Sequence, residues 1–492
     1  MRNIKGLACF LLAAVFTGLW PVVGFGQSQK IEKDATEHPN LVFVIVDQMR
    51  GSAMGFLGQE PVVTPRLDAF SKQAIVFTEV VSNYPICSPF RAMWMSGQYP
   101  HRNGVINNCM SKSTPYGVAL KTDARCWSDV LKDNGYWLGY LGKWHLEAPH
   151  KPFIDCSNNR GKTAWNEWTP PERRHGFDYW YAYNTFNRHL RPLYWDNDAG
   201  REAFHYVDQW GPTHEADKAI EIIENRQSRF RNPEQPFALV VSMNPPHMPY
   251  HLHPKKYLKP YAELSDKQLS ARPNIPPAGT RWGDYYRKNI RHYYAMITGI
   301  DEQFGRILAA LDKAGLAEKT VVVFCSDHGN CLGIHDSISK NVPVEESMRI
   351  PLLIRYPGKL RPRRTDLLIS VPDLYPTLLD LMGFGRQIPD EVEGTSHAEL
   401  LRTGNGKRPT SQLYLRIPCA HPEWGARGVR TRQYTLVVER EDNEDKQILL
   451  YDNSADPFQR NNIAAERPKI VERLIREELV PWLRKTGDPF FP

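Results

Sequence analysis

LVFVIVD, residues 41–47, runs through six apolar side chains and stops at an aspartate. With no polar residue at alternate positions, the run predicts a strand buried on both faces, as in a parallel sheet covered by helices. Three more runs share its form: YWLGYLGK ending at Lys143, FALVVSMN at 237–244 ahead of His247, and TVVVFCSD ending at Asp327. Between them lie helical patterns with recognisable ends. Thr64-Pro65 supplies a cap and first turn ahead of Leu67, Phe70 and Ala74, and the pattern Ile297, Ile300, Phe304, Ile307, Leu308, Leu311 stops at Gly315. Strands alternating with helices predict an α/β fold, a large and mostly parallel, doubly wound sheet flanked by helices. Ligands of such sheets bind beyond the carboxyl ends of the strands, and there all four runs pass into polar residues.

The pattern changes near Arg408. QLYLRI (412–417), RQYTLVVERE (432–441) and KQILLYD (446–452) predict short strands, and IVERLIREELVPWLRK (470–485) predicts a final helix. These make a smaller C-terminal α+β subdomain with an antiparallel sheet over 404–492, behind a larger domain over 36–403. Residues 155–211 are dense in Trp, Tyr, Asn, Arg and His with little periodicity, which predicts an irregular insertion near the site. There is no internal repeat and no low-complexity tract.

Residues 1–26, basic in MRNIK and then apolar to small residues at Gly24 and Gly26, have the layout of a secretory signal peptide. An uncleaved anchor is the alternative, against which the run is barely long enough for a bilayer and contains Pro21. No later segment is apolar enough to span one, so an exported protein, periplasmic or secreted, is expected. The balance of 41% hydrophobic and 24% charged residues is globular rather than disordered. Loss of Arg2 and Lys5 with the signal takes the formal charge from +7 to about +5, an excess that suits an anionic ligand and equally a plain soluble surface. There is no arginine-rich tract, and no nucleic-acid partner is expected. With Cys9 in the signal, Cys87, Cys109, Cys126, Cys156, Cys325, Cys331 and Cys419 remain. Their spacings match no zinc site, and an odd number in an oxidising compartment leaves at least one unpaired, with Cys87 the candidate.

Cys87-Ser88-Pro89-Phe90-Arg91, followed by AMWMSGQYPHRNG (92–104), is the most specific signal in the chain. Pro89 fits the first turn of a helix, and Arg91, one turn after Cys87, falls on the same face. A nucleophile at that position has the N–H groups and dipole of a helix N-terminus, which favour an anion, and a guanidinium alongside. Cys-x-Pro-x-Arg resembles the modification motif of the type I sulfatases, the formylglycine-dependent, arylsulfatase-like family of the alkaline phosphatase superfamily. The rest of the chain is similar to that family from Leu41 to about Pro357 and more loosely beyond. The resemblance implies an alkaline-phosphatase-like fold and conversion of Cys87 to 3-oxoalanine (formylglycine) by a formylglycine-generating or sulfatase-maturing enzyme. It also implies hydrolysis of sulfate esters, with a sulfated carbohydrate as the expected substrate. Ser96-Gly97-Gln98 departs from the Thr-Gly-Arg that often follows the motif.

Two strand ends, Asp47-Gln48 and Asp327-His328, offer carboxylate and amide oxygens suited to a hard divalent cation, and each short loop presents two adjacent ligands. The resemblance implies that these four and the modified Cys87 bind one metal ion. Calcium is the expected ion and manganese the alternative, because His328 is an unusual calcium ligand. Gly142-Lys143-Trp144-His145-Leu146 and Asn244-Pro245-Pro246-His247 resemble the family's Gly-Lys-Trp-His and Asn-Pro-Pro-His segments, and Lys340 stands where the family places a lysine. By that resemblance Arg91, Lys143 and Lys340 hold sulfate oxygens, and Asp327 assists the hydrated formylglycine in attacking sulfur. His247 protonates the departing alcohol, and His145, assisted by Lys143, takes the proton from the second hydroxyl as sulfate leaves.

Arg188, His189, Trp195 and Trp210 in the insertion are candidates to contact sugar rings or neighbouring sulfates, or else packing residues. Two other functions stay open on sequence alone. One is a phosphonate or phosphodiester hydrolase of the same superfold, and the other a catalytically silent protein that captures sulfated glycans.

Overall fold

The computed structural model describes residues 38–491 apart from 231, 233 and 443, so the expected signal at 1–26 lies outside the described residues. Among these, an eight-stranded sheet is built from β1 (Asn40–Val46), β2 (Ile75–Phe77), β3 (Trp137–Lys143), β4 (Tyr179–Tyr183), β5 (Phe237–Met243), β6 (Thr320–Ser326), β7 (Leu352–Arg355) and β8 (Arg363–Thr365). Its order is β8-β2-β7-β6-β1-β5-β3-β4. β7 pairs antiparallel with β6 and β2, and the other pairings are parallel. The four runs read from the sequence are the four contiguous central strands β6-β1-β5-β3.

The reason these strands lack alternation is visible in where their side chains go. Leu41, Phe43 and Ile45 of β1 enter one core, while Val42, Val44 and Val46 enter the other. Each such side chain contributes roughly 1.5–3 kcal/mol of burial, and neither face tolerates a polar residue. Helices cover both faces. α1 (Pro65–Ser71), α3 (Gly211–Glu224) and α4 (Arg281–Lys313) pack in the second core, and α2 (Cys87–Ser96) and α5 (Val371–Leu381) in the first.

α1 stops at Ser71, short of Ala74, and Thr64 makes no side-chain cap bond. The carboxylate of Asp301 on α4 instead accepts from the N–H groups of Arg66 (3.0 Å) and Leu67 (2.7 Å), a tertiary cap that local sequence cannot announce.

At the C-terminus β9 (Ser411–Arg416), β10 (Gly425–Thr431), β11 (Tyr434–Glu441) and β12 (Glu444–Asp452) form an antiparallel sheet in that order. β10, GARGVRT, is the strand that the sequence reading passed over. Its Arg427 is fully buried and donates Nε to Asp488 at 2.5 Å, so an ion pair takes the place of apolar patterning. Leu413, Leu415, Val429, Leu436 and Leu450 join the first core, so this sheet is packed into the same core as the large one. The final helix runs from Pro468 to Thr486 with a wide π turn at Ile475–Leu479 just ahead of Pro481. Pro481 lacks an N–H and would clash with the preceding turn, which the wider turn relieves.

The 155–211 stretch is less irregular than expected, since β4 adds the edge strand YWYAY to the large sheet. No helix among the described residues is long and apolar enough to cross a membrane.

Candidate active site

The central strands deliver their polar ends to one edge. The N–H of Asp47 donates to Met243 O (3.0 Å) and that of Asp327 to Val46 O (3.1 Å), so the ladder continues one residue past the strands and sets the two aspartates side by side. Gln48 follows with φ +70°, and His145, two residues past β3, has φ +56°. Left-handed backbone at a non-glycine residue costs about 1–3 kcal/mol and persists only where its surroundings enforce it. Gly142 (φ +91°) lets β3 close on β5, since a Cβ there would stand 2.2 Å from Ser242 O.

α2 opens on Cys87, with Ile86 as an extended N-cap and Pro89 in the first turn. Ser88 Oγ donates to His145 O at 2.7 Å, tying this turn to the segment after β3. One turn on, Arg91 donates Nη1 to Lys143 O and Ser242 Oγ, both at 2.8 Å, and turns Nη2 to Asp327 Oδ2 (3.2 Å) and Asp47 Oδ2 (3.5 Å). Arg91 therefore braces the strand ends and both carboxylates.

Around Cys87 Sγ stand Lys340 Nζ at 3.1 Å, His328 Nε2 at 3.4 Å, Lys143 Nζ at 3.7 Å and Asp47 Oδ1 at 3.8 Å. Burial and the Asp47 charge oppose ionisation of the thiol, but the Lys143 and Lys340 ammonium groups outweigh them and bring it down to about 6. Burial also opposes the charge of Asp47, yet Lys143, 2.6 Å from Oδ2, and Lys340 hold its carboxyl well below the usual carboxylate range. Asp327 is pushed up to about 7 by burial and by its neighbour Asp47.

Ligand atoms of Asp47, Cys87, Asp327 and His328 lie within 4.8 Å of one another, all buried. His328 Nδ1 lies 2.9 Å from Gly329 O, which fixes it as the donor and leaves the Nε2 lone pair on the cluster. Gln48 Nε2 donates to Ser339 Oγ (2.8 Å) and Tyr250 OH (3.3 Å), while its buried Oε1 has no partner. Two facing carboxylates, an orphaned amide oxygen and an imidazole lone pair fit one hard divalent cation, which would also relieve the strain on Asp327.

Both ring nitrogens of His145 are buried and unpartnered. Burial, then Lys143 and Arg91, push its pKa well below the usual imidazole value, so it is a neutral base. His247 donates Nδ1–H to Met248 O at 2.7 Å, and burial and Lys340 likewise push it well down. His189 is buried behind it, with Nε2 2.8 Å from His247 O, and burial holds it at about 4.

Of the other insertion candidates, Arg188 is exposed beside Asn187, whose Oδ1 accepts from Asn244 Nδ2 at 3.2 Å. Trp195 and Trp210 are 1% and 3% exposed in the second core, with Trp195 Nε1 donating to Arg201 O and Trp210 packed on Tyr257. Sequence reasoning gave no role to Asn244, whose Oδ1 accepts from Lys143 Nζ at 3.1 Å, although it directly follows β5 and could have been read. Ser242, Ser339 and the half-buried Trp165, whose ring lies 6.2 Å from that of His145, carried no signal.

Residues 39–384 match the family profile described as Sulfatase, and residues 333–484 that of the C-terminal part of N-sulphoglucosamine sulphohydrolase. The Endo-4-O-sulfatase of Bacteroides thetaiotaomicron is 37% identical, across 93% of this chain and 94% of its own. The Ulvan-active sulfatase of Formosa agariphila is 33% identical, across 93% and 84%. The crystal structure of a sulfatase-like protein from Bacteroides fragilis superposes with a TM-score of 0.90 at 49% identity, covering 93% of this chain and 98% of that one.

Proposed function

The chain belongs to the sulfatase family and is a sulfuric ester hydrolase, and from that premise we propose that it removes sulfate from a sulfated oligo- or polysaccharide by means of a formylglycine made from Cys87. The observation that carries this reading is the surrounding of Cys87 Sγ by two lysine ammonium groups and an imidazole, with a neutral, unpartnered His145 next to them. The thiol sulfur stands where the oxygens of the modified residue would be. Endo-4-O-sulfatase and Ulvan-active sulfatase, the names of two whole-length relatives, support a glycan as substrate.

Asp47, Gln48, Asp327, His328 and residue 87 would hold one divalent cation, calcium with manganese as the alternative. Bound, the cation supplies Lewis acidity towards a sulfate oxygen, and the formylglycine supplies, as its hydrate, an oxygen nucleophile.

The chain's own side chains do the rest. Lys143 and Lys340 hold the ester's sulfate oxygens, while Arg91, its two Nη groups turned to Asp47, Asp327 and the strand ends, keeps those ends in place. Asp327 assists as proton acceptor for the attacking hydroxyl. His247, its pKa lowered by burial and Lys340, gains a proton as the anionic ester offsets Lys340, and Nε2 passes it to the leaving alcohol. His145 accepts the proton of the second hydroxyl, with Lys143 keeping it neutral beforehand. A sulfate ester brings negative charge to Lys143 and Lys340, whose ammonium groups flank the reacting atom, whereas a neutral ester brings none.

The proposal includes export under the 1–26 signal, modification of Cys87 by a maturing enzyme, and a catalytic domain over 36–403 with 404–492 as a subdomain. Mass spectrometry of the Cys87 peptide, on protein made in a host competent for the modification, tests it. Loss of the mass difference between CH2SH and CHO, together with turnover of sulfate over phosphate esters, is expected. An intact cysteine would favour the silent glycan-binding alternative, and faster phosphonate or phosphodiester cleavage the other.

A further inference from the structure

A second group of metal-ligand side chains lies outside the catalytic cluster. Cys126, Asp129 and His175 each present one donor atom, and the three atoms lie within 4.8 Å of one another. Cys126 is the N-cap of the helix Trp127–Asp133, Asp129 sits in its first turn, and His175 arrives from the turn after Pro171–Arg173. Nothing in the spacing of the chain brings these residues to notice, because the fold assembles them from two distant segments.

His175 is 6% exposed and makes no hydrogen bond among the described residues. Its nearest charged neighbour is Asp129, with Oδ2 3.7 Å from Nδ1. Neither ring nitrogen is committed to a hydrogen bond, so either can take an added ligand. The backbone is also strained to hold it there, since His175 has φ +45° and is followed by Gly176 at φ +81°. A Cβ on Gly176 would meet Lys132 Cβ at 3.1 Å and Asp129 Oδ1 at 3.3 Å, so the turn is pressed directly onto the helix. Asp129 uses Oδ2 to accept from the Cys126 N–H at 2.9 Å, which leaves Oδ1 on the side of the turn.

Cys126 is fully buried in the first core and forms a capping box with Asp129, but a hydroxyl would cap this helix better than a thiol does, so the cap alone does not call for cysteine. A thiolate, an imidazole and a carboxylate are a zinc donor set, and three protein ligands leave the fourth tetrahedral position for water. Calcium, which takes oxygen ligands, does not suit it. We propose that Cys126, Asp129 and His175 bind a zinc ion distinct from the catalytic cation. On binding, the Cys126 S–H bond breaks, its proton leaves to solvent, and the sulfur lone pair forms the S–Zn bond, with no oxidant required. The ion clamps the helix Trp127–Asp133 to the turn at His175, whose ring lies 6.3 Å from that of Trp144, between Lys143 and His145. It thus stiffens the segment behind the catalytic lysine.

The test uses the Cys87→Ala protein, stripped of transition metals and saturated with calcium, so that the catalytic cluster offers no sulfur. One equivalent of cobalt(II) is expected to produce thiolate-to-cobalt absorption in the near ultraviolet with strong tetrahedral visible bands, and zinc to abolish them. Adding Cys126→Ser, which keeps a good cap, removes the thiolate band, and His175→Gln weakens binding by roughly tenfold or more. Zinc raises the Tm of the Cys87→Ala protein and leaves that of the Cys87→Ala, Cys126→Ser protein unchanged. Absence of a sulfur-to-cobalt band in folded Cys87→Ala protein, or a band that survives Cys126→Ser, overturns the proposal.

Discussion

Lys340 holds its ammonium 3.1 Å from Cys87 Sγ, and the same nitrogen lies 3.0 Å from His328 Nε2. It is placed to neutralise an anion at the reacting atom, as a preorganised donor. Lys340→Ala is expected to lower kcat/KM on an aryl sulfate by about 100- to 1000-fold, the worth of one such donor at roughly 3–4 kcal/mol. A loss smaller than about tenfold in steady-state assays would sink the assignment.

His247 donates Nδ1–H to Met248 O at 2.7 Å, so Nε2 is the nitrogen available for proton transfer. A general acid matters in proportion to the basicity of the leaving group. His247→Ala is expected to slow a sugar sulfate far more than an activated aryl sulfate, and a pair of kcat/KM values from the two substrate types measures this. Equal losses on both would remove His247 from that role.

Legibility of the sequence followed the physics of burial. β6, β1, β5 and β3 were readable because strands dry on both faces become unbroken apolar runs, and their ends carried Asp47, Lys143, Asn244 and Asp327 to a common edge. β2 and β8 span only three residues each, and β10 buries Arg427 through Asp488, so neither length nor pattern gave them away. Ser242 and Ser339 reach the site through contacts set by the fold alone. The aromatic density of 155–211 was ambiguous in sequence because a tryptophan that stacks on a sugar and one that fills a core have the same composition. Burial separates them, putting Trp195 and Trp210 inside and leaving Trp165 half-exposed next to His145.

Trp165 is anchored through its backbone, its N–H donating to Asn159 Oδ1 at 2.8 Å and its carbonyl accepting from Asn184 Nδ2 at 2.9 Å. A ring anchored in that way, half-exposed and tilted at 56° to that of His145, suits a pyranose. Trp165→Ala is expected to raise KM for a sulfated oligosaccharide severalfold while leaving kcat/KM for a small aryl sulfate unchanged. Parallel losses on both substrates would mean that the ring supports His145 rather than the sugar.

Glu215 on α3 is fully buried beneath the end of β3, with Oε1 accepting from Tyr194 OH at 3.0 Å and Tyr183 OH at 3.4 Å and Oε2 unpartnered. Burial pushes its pKa from the ordinary 4.5 up to about 8. The folded state therefore binds the proton more tightly than the unfolded state. The stability contributed by protonated Glu215 is fully present below its ordinary pKa and is lost as pH rises through the folded one. The loss amounts to about 1.4 kcal/mol per pH unit across that interval. Glu215→Gln stays neutral throughout and keeps an acceptor for both tyrosines. Its Tm is expected to gain on that of the wild type steadily from the lower to the upper end of the interval and to hold a constant lead above it. Thermal unfolding of the two proteins side by side across the interval measures the gap, and a gap that does not change with pH would show that Glu215 carries its charge within the fold.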